Sequence, residues 1–347
     1  MIRSTGRGAE PKVSVCVPTR GHPDEVTRLL RSLLSQTMKD WELVISDDSG
    51  DTSVECVVQE LMARQSPTRL HYHRNEVPMG PIRNWNAALA PARGHFIKIM
   101  FSDDYFTGEK SLAQFVGLLE ENPEATLAFS GSRQVLLGAA SDLDYQHGVM
   151  AGHEIGYTKE GFPYYERCAT EQFAEELKKD YRRLFLGNEI GAPSAVILRR
   201  FPGDRIPHFD EESGFASDMF LYFDALRGTD EAPAQGVPDA SYAGRFAWTE
   251  EPLISIGMHA GQYTETFTEQ DERIYTDYRR LYKKYDLKQA PFCRKYMTEQ
   301  FIIPWHKGRV EAEALGVPTR DWRHARMREG LHSIRDYLRN RWKSSVN

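Results

Sequence analysis

The sequence holds only four cysteines in 347 residues, Cys16, Cys56, Cys168 and Cys293, all far apart and none in a C-x-x-C. That argues against a zinc knuckle and against a disulfide-dense secreted scaffold. Nothing demands an oxidising compartment, so a reducing cytosol is the expectation. Cys16 and Cys56 lie among apolar neighbours and read as buried thiols. No run approaches the roughly 20 apolar residues of a membrane span. The opening MIRSTGRGAEPK is polar with no apolar stretch behind it, so no signal peptide is expected. The protein is expected to be cytoplasmic, soluble or peripheral. An excess of basic residues is missing too. Lys and Arg number 44 against 50 Asp and Glu, a formal charge of -6, which argues against a general nucleic-acid binder. Glycine-rich phosphate loops are lacking. Only Gly21 follows the first strand candidate, so there is no G-x-G-x-x-G, and no G-x-x-x-x-G-K-[ST] occurs. No internal repeat or low-complexity tract is evident.

What is present points to a folded chain. At 40% apolar and 27% charged residues, a sizeable core is available and disorder is excluded. The length suits one large domain with appendages, or two domains, at roughly 150 residues per domain. Aromatics reach 11% and suit a site that stacks planar or sugar rings.

The first third alternates between two periodicities. Strands are expected at 13–17, 42–46, 69–73, 95–101 and 126–130. Between them, Val26, Leu29, Leu30, Leu33 and Leu34 mark one helical face, and Val54, Val57, Val58, Leu61 and Met62 a second. A helix over 84–89 and one through Leu112, Phe115, Val116 and Leu119 follow. Pro23, Asp24 and Glu25 suit the first turn of the first helix. Strand and helix in alternation imply an α/β fold with a mostly parallel sheet and helices on both faces. Ligands of such sheets bind beyond the carboxyl ends of the strands. Polar groups recur there: Pro18-Thr19-Arg20, Asp47-Asp48, Asn75 and Ser102-Asp103-Asp104. Asp and Asn also serve as turn formers and caps. Recurrence at matching strand ends is what argues for a site. Paired carboxylates repel unless a cation joins them. Mg²⁺ and Mn²⁺ take one or two carboxylates plus substrate phosphates, so Asp103-Asp104 suggests a divalent cation holding a diphosphate.

The middle is less regular. A loop of turn residues, Gly187 to Ser194, precedes a strand at 195–198. An apolar helix over 215–226 carries Asp218 near its start, where the residue is either a cap or a base. His259 follows Gly257-Met258. His71 and His73 share one strand face, which is a metal pair or, more simply, a partly exposed strand. Trp41 and Trp85 read as packing residues. From about 265 the chain is charged, helical and aromatic. Between Arg320 and Lys343 eight Lys/Arg stand against three Asp/Glu, with Leu331, Ile334, Leu338 and Trp342 on one helical stripe. A basic amphipathic helix of this kind lies on an anionic membrane surface or packs on the domain with a solvated basic face.

Val13 to Arg20, Glu42 to Asp48, Asn75 with Gly80 to Asn84, and Lys98 to Asp104 resemble, in order and spacing, the family-2 nucleotide-sugar glycosyltransferases of the GT-A fold. Glu189 to Val196, Ser217-Asp218 and His259 to Gln262 are similar to that family as well, so the likeness runs over roughly 11–265. It implies a GT-A fold divided into a polar arm (1–10), a nucleotide-sugar-binding half (11–130), an acceptor-binding and catalytic half (131–264) and a helical extension with a basic tail (265–347). It implies an inverting, metal-dependent transfer of a sugar from a nucleotide donor, with a lean to UDP. The acceptor would be a glycan or lipid-linked sugar of a bacterial surface, and the cofactor Mn²⁺ or Mg²⁺. Pro18, Thr19, Arg20, Asp48, Arg83 and Asp103 would meet the nucleotide, with Asp103 toward the ribose or sugar. Asp104 and His259 would meet the metal, Asp218 would be the base, and Gly191, Ala192, Pro193 and Ser194 would form an acceptor loop. Phe101 stands where many members carry an acid. That departure keeps open a non-catalytic module of the same fold. A nucleotidyltransferase, another parallel-sheet enzyme with acidic metal sites, is the other alternative.

Overall fold

A computed structural model of the chain describes residues 10–63, 69–137, 150, 152–200, 205–227, 245–259, 262–268, 271–305 and 307–329. The chain forms two compact units, Met1–Thr266 and Phe267–Asn347.

The first unit is built on strands β1 (Val13–Thr19), β2 (Trp41–Asp47), β3 (Leu70–Arg74), β4 (Phe96–Ile99), β5 (Tyr105–Phe106), β6 (Leu127–Leu136), β7 (Gly156–Tyr157), β8 (Pro163–Arg167), β9 (Val196–Arg199) and β10 (Phe246–Met258). They form one sheet in the order β3-β2-β1-β4-β9-β6-β10-β5, with β8 on β6 and β7 on β8. The β3-β2-β1-β4 half is parallel throughout. β9 runs antiparallel between β4 and β6, and β6 pairs in parallel with β10. Residues 11–130 and 131–264 therefore share a single sheet.

The helices α1 (Pro23–Leu34), α2 (Ser53–Ala63), α3 (Pro81–Leu89) and α4 (Ser111–Glu121) occupy the crossovers. Val13, Val15 and Val17 of β1 join a core with Val26, Leu29, Leu30 and Leu33 of α1, Val54 and Val58 of α2, and Leu112, Phe115 and Leu119 of α4. Burying each such side chain contributes about 1.5–3 kcal/mol. α3 packs on β1 and β2 and buries Ile82, Ala88 and Leu89 outside that cluster. α2 turns Val54, Val58 and Met62 inward, which leaves Cys56 on the other face. Cys56 is exposed, not buried as the sequence suggested, whereas Cys16 is buried.

One expected strand is shorter than its pattern, and one long strand has no counterpart among the expected ones. β4 stops at Ile99: Met100 N–H still bonds Cys16 O of β1 at 2.9 Å, but Phe101 N–H leaves the ladder and donates to Ser194 Oγ at 3.0 Å. β10, for which the sequence pattern shows no strand, runs from Phe246 and bulges between Thr249 and Ile254. Gly131 permits that bulge, since a Cβ there would lie 2.2 Å from Glu250 O. Helices α5 (Glu171–Lys179) and α6 (Ser217–Arg227) complete the unit.

The second unit contains Glu272–Lys284, Pro291–Met297 and Arg309–Ala314, with residues 319–329 also helical. Its interior includes Leu281, Tyr282, Leu287, Cys293 and Met297. The stripe Leu331, Ile334, Leu338 and Trp342 lies outside the described residues. Among the described residues no helix is long and apolar enough to cross a membrane.

Candidate functional site

The carboxyl ends of β1, β2 and β3 are tied by one buried polar network. Asn84, in the first turns of α3, donates from Nδ2 to Thr19 O at 3.0 Å. Its Oδ1 accepts from Asn75 Nδ2 at 3.2 Å, and the same Asn75 group reaches Asp48 Oδ1 at 2.9 Å. Asp48 N–H in turn bonds Thr19 O at 2.9 Å. The Asp48 carboxylate also accepts from Met79 N–H at 3.0 Å and Gly80 N–H at 3.0 Å. Asp48 therefore shapes the loop that starts α3. Met79 N–H is shared between both Asp48 oxygens, so four accepted contacts occupy the roughly four lone-pair sites that a carboxylate offers. Its neighbour Asp47 accepts from Ser49 and, at 2.5 Å, from the Tyr72 hydroxyl. Pro18 and Thr19 are buried in β1, whereas Arg20 is exposed. Gly21 and His22 both take positive φ, 73° and 56°. This sharp turn, held by Gly21 N–H to Ser49 Oγ at 2.6 Å, starts α1 directly above β1. Arg83 is exposed and faces Glu211 at 3.5 Å.

The two acidic neighbours after β4 have opposite environments. Asp104 is 2% exposed and accepts from Gly257 N–H at 3.0 Å. Burial, with Asp103 beside it, holds its carboxyl well above the usual carboxylate range, against the bonds from Ser194 and Gly257 and the charge of Lys98. Lys98 is itself fully buried, and burial pushes its amine well below the usual range. Its Nζ donates to the carbonyls of Ser194 and, at 3.2 Å, Val196, and sits 4.5 Å from the Phe115 ring centre. Ser194 is completely buried, so it and Pro193 hold the Phe101–Asp104 turn from beneath rather than facing outward. Asp103 is half-buried, and it is the carboxylate on the open side. Its Oδ2 accepts from Gln262 Nε2 at 3.2 Å and lies 3.5 Å from His259 Nε2. Glu25, in the first turn of α1, stands 3.9 Å from the same nitrogen and 3.8 Å from His22 Nδ1. Burial raises the Glu25 carboxyl while His22 and His259 oppose the shift. Nothing in the sequence pattern distinguished Glu25, because an acid in a first helical turn is ordinary.

A third group gathers around α6. Asp218 is half-buried and accepts from Met219 N–H and from Asn188 Nδ2, both at 2.7 Å. Tyr222, one turn further, donates to Gly191 O at 2.9 Å. Gly191 has φ 92°, a conformation that favours glycine. An aromatic group also converges: the Trp85 ring lies 4.9 Å from Phe101, 5.1 Å from Phe209 and 5.8 Å from Tyr263. Asn86 clamps Phe209 through both backbone groups, at 2.9 and 2.8 Å. Phe101, in place of an acid, thus belongs to an aromatic cluster. His71 lies 3.7 Å from the buried Glu42, and His73 is exposed. Among the described residues no group of three or more His, Cys, Asp or Glu side chains is drawn together closely enough to hold a metal ion as it stands.

A model of glycosyl transferase family 2 matches residues 14–136. The chain is 34% identical over 95 residues to the GalNAc(5)-diNAcBac-PP-undecaprenol beta-1,3-glucosyltransferase of Campylobacter jejuni, a stretch covering 27% of this chain and 30% of that protein. It is 30% identical over 110 residues to the UDP-Glc:alpha-D-GlcNAc-diphosphoundecaprenol beta-1,3-glucosyltransferase WfgD of Escherichia coli, covering 32% and 42%. The matched stretches thus span less than half the length of these relatives. Residues 1–349 of S. aureus TarS, solved in complex with UDP-GlcNAc, superpose with a TM-score of 0.50 at 18% identity, over 90% of this chain and 79% of that one. At that identity the likeness speaks for the fold alone. The sheet order and the crossover helices are those of the GT-A fold, and it is the stretch 14–136 that matches glycosyl transferase family 2.

Proposed function

We propose that the chain moves a sugar from a nucleoside-diphosphate donor to an acceptor hydroxyl, with inversion, in the synthesis of a bacterial surface glycan. One observation carries this reading. Asp103 and His259, from distant parts of the sequence, meet 3.5 Å apart beside strand ends that also carry Thr19 and Asp48. A uridine donor and a lipid-linked acceptor are the choices favoured by the name of the WfgD relative.

The donor set suits a hard divalent cation. Asp103 offers a carboxylate oxygen and His259 an imidazole nitrogen, and Mg²⁺ or Mn²⁺ draws its remaining ligands from water and substrate phosphates. When bound, such a cation supplies electrostatic stabilisation to the leaving diphosphate. Asp104, turned inward, supports the loop that presents Asp103. Asp218 takes the proton of the acceptor hydroxyl. The hydroxyl oxygen bonds the anomeric carbon from the face opposite the departing diphosphate, and the bond from that carbon to the phosphate oxygen breaks, which inverts the centre. Gly191 and Ala192 line the acceptor side. Contact with an anionic membrane through the basic tail would bring the enzyme to a lipid-linked acceptor. A form truncated before Arg320 would then sediment less with anionic vesicles while keeping its turnover.

The experiment that tests the reading is release of nucleoside diphosphate from a panel of nucleotide sugars with Mn²⁺ and simple sugar acceptors, using Asp218→Asn as the control. Loss of turnover by ~10²–10⁴ in that variant, with donor binding kept, supports it. Nucleotide sugars that bind but are never cleaved or transferred would instead indicate a binding module.

A further inference from the structure

The loop before β9 and the start of α6 are locked together by one side chain, that of Asn188. Its Nδ2 donates to Asp218 Oδ2 at 2.7 Å. The same amide closes the loop on itself, accepting from Gly191 N–H at 3.2 Å through Oδ1 and reaching Gly191 O at 3.3 Å through Nδ2. Gly191 O also accepts from Tyr222, whose ring is buried in α6 one turn beyond Asp218. α6 therefore grips the loop at two points, and Asn188 is the one that touches the carboxylate. From below, Arg167 of β8 donates to Asn188 O at 3.0 Å.

A carboxylate that acts as a base must present one oxygen in a fixed direction. Asp218 has two rotatable side-chain bonds. Met219 N–H holds Oδ1 and Asn188 holds Oδ2, both at 2.7 Å. A charged acceptor makes such bonds about twice as strong as neutral ones. The Met219 bond is local and satisfies an amide at the helix start. It would form wherever α6 formed. The Asn188 bond spans 30 residues and relates the carboxylate to the loop expected to meet the acceptor. We propose that Asn188 is a positioning residue for the transfer: it holds the Asp218 carboxylate in register with the 188–194 loop and so fixes how that carboxylate meets the acceptor hydroxyl. The proposal rests on Asp218 being the base.

The test is a double-mutant cycle. Asn188→Asp is close to isosteric and keeps the oxygen that accepts from Gly191 N–H, but it replaces the amide donor with a second carboxyl that repels Asp218 when both are ionised. Asn188→Ala removes all three side-chain bonds and serves as a second variant in case like charges disturb the loop. Each is measured for transfer rate, for binding of the nucleoside diphosphate with Mn²⁺, and for thermal midpoint, alone and on the Asp218→Asn background. The expected result is a fall of at least ~10-fold in kcat in either single variant, with nucleotide affinity within ~3-fold and no further fall on the Asp218→Asn background. A purely structural role would lower rates on both backgrounds alike and would lower nucleotide binding or the midpoint with them. Transfer within ~3-fold of the parent in both single variants, while Asp218→Asn is inactive, overturns the positioning role and leaves the base in place. An active Asp218→Asn overturns the base itself, and the positioning role with it.

Discussion

Asp104 and Gly257 are joined by a bond that only a glycine permits. The Gly257 N–H donates to Asp104 Oδ1 at 3.0 Å, and a Cβ at 257 would lie 2.4 Å from the Asp103 carbonyl oxygen. β10 thereby rests directly on the acidic turn, and two residues later it delivers His259 to Asp103. The missing side chain is the reason these motifs from the two ends of the domain can meet.

Gly257→Ala should therefore damage both the fold and the site. The added methyl must displace backbone on one side and Leu137 on the other, since Leu137 Cδ1 would be 2.6 Å away. Overpacking of this kind costs about 1–3 kcal/mol. At roughly 2–4 °C per kcal/mol for a unit of this size, the thermal midpoint should drop measurably. Mn²⁺-dependent nucleotide binding should weaken with it. An unchanged midpoint together with unchanged binding would show that β10 does not approach the turn so closely.

Lys98 gives a pH signature. Its amine is buried and held well below its ordinary value of 10.5. The native state thus binds fewer protons at this position than the unfolded chain does. Stability contributed here must rise with pH, from the lowered native pKa up to the unfolded value near 10.5, and flatten above it. Lys98→Met removes the group. Comparing the two proteins by chemical denaturation between pH 7 and 10 should show the parent gaining on the variant as pH increases. A constant difference across that window would mean that Lys98 is charged in the native state.

Thiol labelling separates the cysteines by position. Cys56 and Cys168 are exposed, while Cys16 and Cys293 are buried. Burial and the charge of Glu42 also raise the Cys16 thiol far above its ordinary value, so it lacks the thiolate that reacts. A native protein at pH 8 should take up two equivalents of a thiol reagent quickly and the other two only on unfolding. Rapid loss of Cys16 would contradict the packing of β1.

Cys56 also shows where sequence pattern runs out. Its neighbours are apolar, but exposure on α2 is set by the angle around the helix. Val54, Val58 and Met62 define the inner face, and 56 falls off it. The parallel strands were legible because their β-branched runs and intervening helical stripes repeat local periodicities. β5 and the β7–β8 hairpin were not, because two to five residues of pairing carry no period of their own. Within the site, the strand-end residues Thr19, Asp48 and Asp103 could be named from spacing. The contacts of Glu25 with His259 and of Asn188 with Asp218 join distant segments and leave no local trace. The same limit applies to Asp103 and Asp104: a D-D pair does not say which carboxylate the chain turns outward.

The two aspartates can be told apart by experiment. Asp103 is half-buried on the open side, 3.5 Å from His259 Nε2, whereas Asp104 is enclosed and bonded to β10. Asp103→Ala should fold with a midpoint near the parent's, because its carboxylate makes few buried contacts. Its loss should show when nucleoside diphosphate and Mn²⁺ are added. At a ligand concentration 100 times the dissociation constant, the parent gains about 2.7 kcal/mol from binding. Most of that gain should vanish in Asp103→Ala and in His259→Ala. Asp104→Ala is different in kind. It strips Gly257 N–H of its partner and opens a cavity beside Lys98, so the midpoint without ligand should fall, by an amount consistent with about 1–3 kcal/mol for an unpaired buried group. A variant-specific loss of the Mn²⁺ effect at Asp104, with stability intact and Asp103→Ala behaving like the parent, would reverse the assignment and make Asp104 the residue that meets the cation.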